Sequence, residues 1–104
     1  MTTLPDGGQP LRVVATIPTK PEAAETVRAG LAELAHATRR EEGCLAYDVF
    51  ESQSAPGTFV TIEAWRHPSD LDAHKESPHL AAALALLTDT LTGDVAIHPL
   101  APLP

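Results

Sequence analysis

From Pro21 to Arg40 the positions Ala24, Val27, Leu31, Leu34, Ala35 and Thr38 recur at steps of three and four residues, the repeat of a helix that buries one stripe. Acids early in the stretch, and Arg39 and Arg40 at its end, complement the helix dipole, and Gly43 marks the stop. After it the period changes to two. Cys44 to Glu51 alternates, which predicts a strand with Leu45, Tyr47 and Val49 on one face and Ala46, Asp48 and Phe50 on the other. A Ser, Ala, Pro and Gly loop from Ser52 to Thr58 leads into a second alternating run. There Phe59, Thr61, Glu63 and Trp65 share one face, and Val60, Ile62 and Ala64 share the other, so the two runs predict a hairpin.

Leu11 to Ile17 is a short apolar run ended by Pro18, which reads as a first strand. Ser69 is placed to cap a short helix starting DLDAH, and Ser77 with Pro78 supplies a cap and a first-turn proline for the next. Leu80, Ala83, Leu84, Leu87 and Leu91 step along that helix, Gly93 stops it, and Val95 to His98 reads as a last strand. The order βαββαβ, with its second helix broken, predicts an α+β, ferredoxin-like antiparallel sheet with one face against the helices. The other face needs cover. Four short strands in a chain of 104 residues are marginal alone, so a homodimer joining two sheets into a dimeric α+β barrel is expected. The expected domain spans residues 11–100, with tails at 1–10 and 101–104.

Length allows one core. The formal charge of −7, with few and scattered Lys and Arg, disfavours nucleic acid, whose phosphates are met by clustered cations. Cys44 is the sole cysteine, so an intrachain disulfide and a multi-cysteine metal centre are ruled out, and a reducing compartment fits. The opening MTTLPDGGQP lacks the basic and apolar regions of a leader, and no segment approaches the roughly 20 apolar residues of a membrane span. A cytoplasmic protein without a membrane partner is the expectation.

The polar residues with chemical promise are Glu63, beside Trp65 on one strand face, and His74 and His79 near the ends of the two helical pieces. His74 lies three residues after Leu71 and so towards its buried side. His79 falls in a first helical turn, where the dipole favours neutral imidazole, a form able to act as a base. Each has a plainer alternative: Glu63 pairs with Arg66 or Arg12, Trp65 is core, and the histidines cap or pack. Tyr47 either hydrogen-bonds a phenol or fills the sheet face. His36, opposite the apolar stripe, and His67, before Pro68, are expected to face solvent, and Cys44 to be a small buried hydrophobe. Four residues separate His74 from His79, and Pro78 lies between, so they do not share one continuous helical face and no metal site is expected. There is no GxGxxG, Walker or CxxCH motif.

The segments REEGCLAYDVF, FVTIEAW and LDAHKESPHL resemble the antibiotic biosynthesis monooxygenase family, close to its quinol monooxygenase branch, over about Leu11 to Leu100. The resemblance implies a dimeric α+β barrel that oxidises quinols or polyphenols with O2 and uses no metal, flavin or haem cofactor. Its haem-degrading members use an asparagine in the first strand, and this chain has no asparagine. The implied site has His74 or His79 as base, Glu63 as orienting carboxylate, and Trp65, Tyr47, Thr61 and Phe59 around the substrate. A phenol (pKa ~10) giving its proton to an ordinary histidine (pKa ~6.5) faces about 5 kcal/mol, so the pocket must also stabilise the anion, with Tyr47 and Trp65 as candidate donors. The rival readings are a non-catalytic dimer that binds a small aromatic or serves as an accessory subunit, and an isomerase or cyclase for a polyketide-like compound.

Overall fold

A computed structural model describes residue 4 and residues 8–104; most of the expected tail at 1–10 therefore lies outside the described residues. The elements are β1 (Leu11–Pro18), α1 (Ala24–Thr38, preceded by a 3-10 turn at Pro21–Ala23), β2 (Cys44–Glu51), β3 (Thr58–Trp65), α2 (Pro68–Lys75), α3 (Pro78–Leu87) and β4 (Ala96–Leu100). The sheet order is β2-β3-β1-β4 and every pairing is antiparallel. This is the ferredoxin-like arrangement. No described helix is long and apolar enough to cross a membrane.

α1 buries Val27, Leu31, Leu34, Ala35 and Thr38, the stripe its spacing predicts. Those side chains pack on the inner sheet face through Val13, Ile17, Tyr47, Phe59 and Trp65, with Leu71, Ala83 and Leu87 closing the core from the later helices. Each large apolar side chain so buried contributes roughly 1.5–3 kcal/mol. Thr38 Oγ1 alone among the described buried side-chain polar atoms has no hydrogen-bond partner.

Several local expectations are corrected. The β2–β3 ladder pairs Cys44 with Trp65 but Ala46 with Ala64. That bulge at the start of β2 turns Leu45 outwards, half-exposed, while Cys44, Tyr47 and Val49 keep the inner face. α2 begins at Pro68, so its cap is His67 and not Ser69, and the Asp70 carboxylate accepts from the His67 N–H at 2.9 Å. His67 is half-buried rather than fully in solvent. α3 ends at Leu87; Leu91 instead bridges Thr19, and Leu84 is exposed. β4 continues to Leu100 through Pro99, which an edge strand tolerates because no neighbour needs the missing N–H.

Candidate functional site

β3 carries a buried polar row on its inner face. Glu63 is 4% exposed, and its strand neighbours two residues away satisfy it: Thr61 Oγ1 donates to Oε2 at 2.6 Å and Trp65 Nε1 donates to Oε1 at 2.9 Å. Alternation places these side chains on one face, so five consecutive residues, TIEAW, encode both the carboxylate and its donors. The anticipated arginine partners are not used: Arg66 grips Asp70 through two hydrogen bonds, at 3.0 and 3.2 Å, and approaches Glu42 at 3.7 Å. Those bonds hold the Asp70 carboxyl below its ordinary range, the Arg66 hydrogen bond being the largest cause.

Tyr47 faces Glu63 across the ladder. Burial, and then the Glu63 charge, push its phenol above the ordinary tyrosine range, which suits a donor rather than a base. Trp65 is fully buried, and with its N–H committed to Glu63 it has no donor left for a substrate anion. The expectation that Trp65 supplies such a donor is corrected accordingly.

His74, on α2, is as buried as Glu63. Its ring lies 4.8 Å from that of Trp65 and 5.6 Å from that of Tyr47, centroid to centroid. Nδ1 is 2.7 Å from Glu41 Oε2, and His79 Nε2 is 2.7 Å from the same oxygen. An ionised carboxylate only accepts, so the proton of each short contact is assigned to the ring nitrogen. For a neutral His74 that leaves Nε2 with the lone pair, and Nε2 has no protein partner among the described residues.

The corner between α2 and α3 makes this geometry. Ser77 N–H donates to the His74 carbonyl at 3.0 Å, and Ser77 Oγ accepts from Leu80 N–H at 3.2 Å. The chain thus turns between the helices and returns His79 towards His74, 5.9 Å away ring to ring. The spacing argument against two ligands on a shared helical face is sound for one continuous helix, but the corner replaces that face. Glu41, His74 and His79 now place their ligand atoms within 4.8 Å of one another.

A cavity of about 70 Å³ lies between the sheet and α1, α2 and α3. Tyr47, Thr61, Glu63 and His74 line it, among apolar neighbours such as Leu31, Leu34, Leu71 and Leu87. It reaches the surface beside the exposed Leu84 and Ile97. Trp65, Phe59 and His79 do not line it: Trp65 backs Glu63, Phe59 faces a separate groove between α1 and β2, and His79 borders an outer groove with Gly30 and Leu86.

The residues 10–86 match the antibiotic biosynthesis monooxygenase family. The chain belongs to that family. Rv0793 of Mycobacterium tuberculosis is 38% identical over 94 residues, 90% of this chain and 92% of that protein, and YcnE of Bacillus subtilis is 34% identical over 71 residues, 68% of this chain and 75% of that protein. Both are named as candidate monooxygenases. A crystal structure named as an antibiotic biosynthesis monooxygenase superposes with a TM-score of 0.85 at 36% identity, covering 90% of this chain and 99% of its own. The Rv0793 structure gives 0.82, covering 92% and 97%.

Within this antibiotic biosynthesis monooxygenase fold, Glu41 is the site residue that sequence spacing missed. It sits in the turn after α1, in a run that reads as a solvated charge cluster. The remaining signal was its place two residues before Gly43. An added Cβ at Gly43 would fall on the Asp70 side chain, and the Gly43 carbonyl accepts from Arg66 N–H at 2.8 Å, so the turn is docked tightly onto the start of α2.

Proposed function

We propose that the protein is a cofactor-independent monooxygenase that oxidises a quinol- or polyphenol-type aromatic with O2 to a quinone. The observation carrying this reading is an apolar cavity in which a buried carboxylate, Glu63, and a buried imidazole, His74, are each held by their own partners. His74 Nε2 takes the phenolic proton, while Glu41 at Nδ1 fixes the ring and faces the resulting cation with a negative charge. Trp65, at 4.8 Å, gives that cation an aromatic neighbour. Tyr47 donates to the phenolate oxygen and Glu63 orients the ring through a second hydroxyl.

The electron-rich anion then passes one electron to O2, and the two radicals combine as a carbon-bound peroxide. His74 returns its proton to the peroxide. Breaking the O–O bond, with loss of the proton on the same carbon, releases water and leaves the quinone carbonyl. The substrate supplies the electrons, which is what lets the chemistry proceed without a redox cofactor.

The cavity must widen to admit the substrate, since an engineered protein cavity that holds benzene measures roughly 150 Å³. The exposed Leu84 on α3 marks the wall where it opens. The outer sheet face, with Phe50 and Ile62 exposed, is covered by a second copy of the chain, giving a cytoplasmic homodimer.

The test is oxygen uptake by chelator-treated protein with a panel of reduced naphthoquinols, corrected for autoxidation. Saturable uptake is expected, falling by about 10²–10⁴ in His74→Ala. Undiminished uptake in that variant would place the base elsewhere, and binding without uptake across the panel would favour the non-catalytic reading.

A further inference from the structure

The three groups around Glu41 form a donor set whose use does not end with proton transfer. Glu41 Oε2, His74 Nδ1 and His79 Nε2 come from three separate segments and lie within 4.8 Å of one another. The backbone fixes each independently. Glu41 N–H donates to Thr38 O at 2.9 Å and its carbonyl accepts from Cys44 N–H at 3.1 Å. The Ser77 bonds hold the corner between the two histidine-bearing helices.

Two imidazole nitrogens and one carboxylate oxygen suit a borderline transition ion rather than magnesium or calcium, which prefer all-oxygen shells. Three protein donors also leave a position open for water or a ligand. The 2.7 Å contacts are hydrogen-bond distances; ligands on a tetrahedral zinc, with bonds of about 2.1 Å, stand roughly 3.4 Å apart. Binding therefore asks the rings to withdraw from the shared oxygen by less than about 1 Å and their two nitrogens, now within 4.8 Å, to close towards that same spacing. His79 has room to do so, because its side chain is 24% exposed and borders an open groove, whereas that of His74 is 5% exposed.

We propose that Glu41, His74 and His79 bind one divalent transition ion of the zinc class, which replaces the two protons now shared with Glu41 Oε2. Each ring gives the ion the lone pair of the nitrogen that had carried the proton, and the displaced proton moves to the ring's other nitrogen, so that each ring stays neutral. For His74 that nitrogen is Nε2, so an occupied site has no base facing the cavity. Metal occupancy and oxygenase turnover are thus alternative states of one cluster. The binding site stands independently of the proposed activity; only the inhibition rests on it.

The experiment titrates chelator-treated full-length protein with Co²⁺ alone. Trp65 is the only tryptophan and its ring is 4.8 Å from that of His74, so paramagnetic Co²⁺ at the site quenches its emission while developing visible d–d absorption. One Co²⁺ per chain is expected, with both signals lost on adding Zn²⁺. Glu41→Gln and His79→Gln should each weaken binding at least tenfold, whereas His36→Gln, on the exposed side of α1, should leave it unchanged. Histidine ring NMR of the wild-type chain supplies the measurement that survives a misfolded variant: Zn²⁺ should shift the His74 and His79 ring nitrogens and no others. Unsaturable quenching, unchanged affinity in both Gln variants, or shifts confined to other histidines would overturn the site. Zn²⁺ binding with no quinol oxidation anywhere would sink the oxygenase and leave the metal site standing; the reverse result would do the opposite.

Discussion

The two faces of β3 invert the usual division of an antiparallel sheet. Such a sheet normally turns apolar residues to the core and polar ones to water. Here the inner face carries Thr61 and the buried Glu63 between Phe59 and Trp65, while the outer face is Val60, Ile62 and Ala64, with Ile62 exposed. The inner anomaly is settled within the strand, since Thr61 and Trp65 donate to both oxygens of Glu63. The outer one has no such resolution among the described residues. One face has kept a charge and supplied its partners locally; the other has kept apolar surface and left it exposed.

Removing the inner partner should have the largest effect. Trp65→Ala deletes a fully buried ring, and is expected to cost about 3–5 kcal/mol in chemical denaturation. It also leaves Glu63 Oε1 without its donor. A loss under about 1 kcal/mol would mean that the ring is not part of the packed core.

The outer face is next. Ile62→Asp should shift the chain from dimer to monomer in sedimentation equilibrium, with dissociation strengthened about 10- to 100-fold, or 1.4–2.8 kcal/mol. An unchanged association state would show that this face is not the interface.

The smallest effect tests how dry the inner face is beside the bulge. Cys44 pairs with Trp65, and burial, followed by the Glu41 and Glu63 charges, pushes its thiol up from 9.0 to about 11. Iodoacetamide labelling near pH 8 should run roughly a hundredfold slower than in the unfolded chain, in proportion to thiolate. Between pH 9 and 11 the folded thiol holds a proton that the unfolded one has lost, so the stability it contributes is complete below pH 9 and declines as pH rises towards 11. Rapid labelling of folded protein at pH 8 would contradict this.

Much of the fold could be read along the chain because periodicity reports burial directly. The α1 stripe and the β3 alternation appear in space as they do in sequence. Periodicity failed where the repeat itself changes. The bulge between Cys44 and Ala46 shifts the phase of β2, so Leu45 leaves the face that Tyr47 and Val49 occupy.

The site was legible in part for a related reason. Glu63 and Trp65 lie on one strand, so spacing gave their shared face, though Thr61 and Trp65 proved to be the partners in place of an arginine. Glu41 lies 33 positions from His74 and 38 from His79 along the chain. No local pattern links them, because only the packing of the post-α1 turn against the α2–α3 corner brings them together.

Gly43 shows how that turn is maintained. A methyl group there would collide with Asp70, which is already committed to Arg66 and to the cap of α2. Next to it the Glu42 side chain is almost wholly in solvent. Tolerance to replacement should therefore change abruptly between adjacent codons: a new side chain at position 42 meets solvent, whereas any side chain at position 43 must displace Asp70. The placement of Glu41 depends on a side chain that is absent as much as on the bonds that are present.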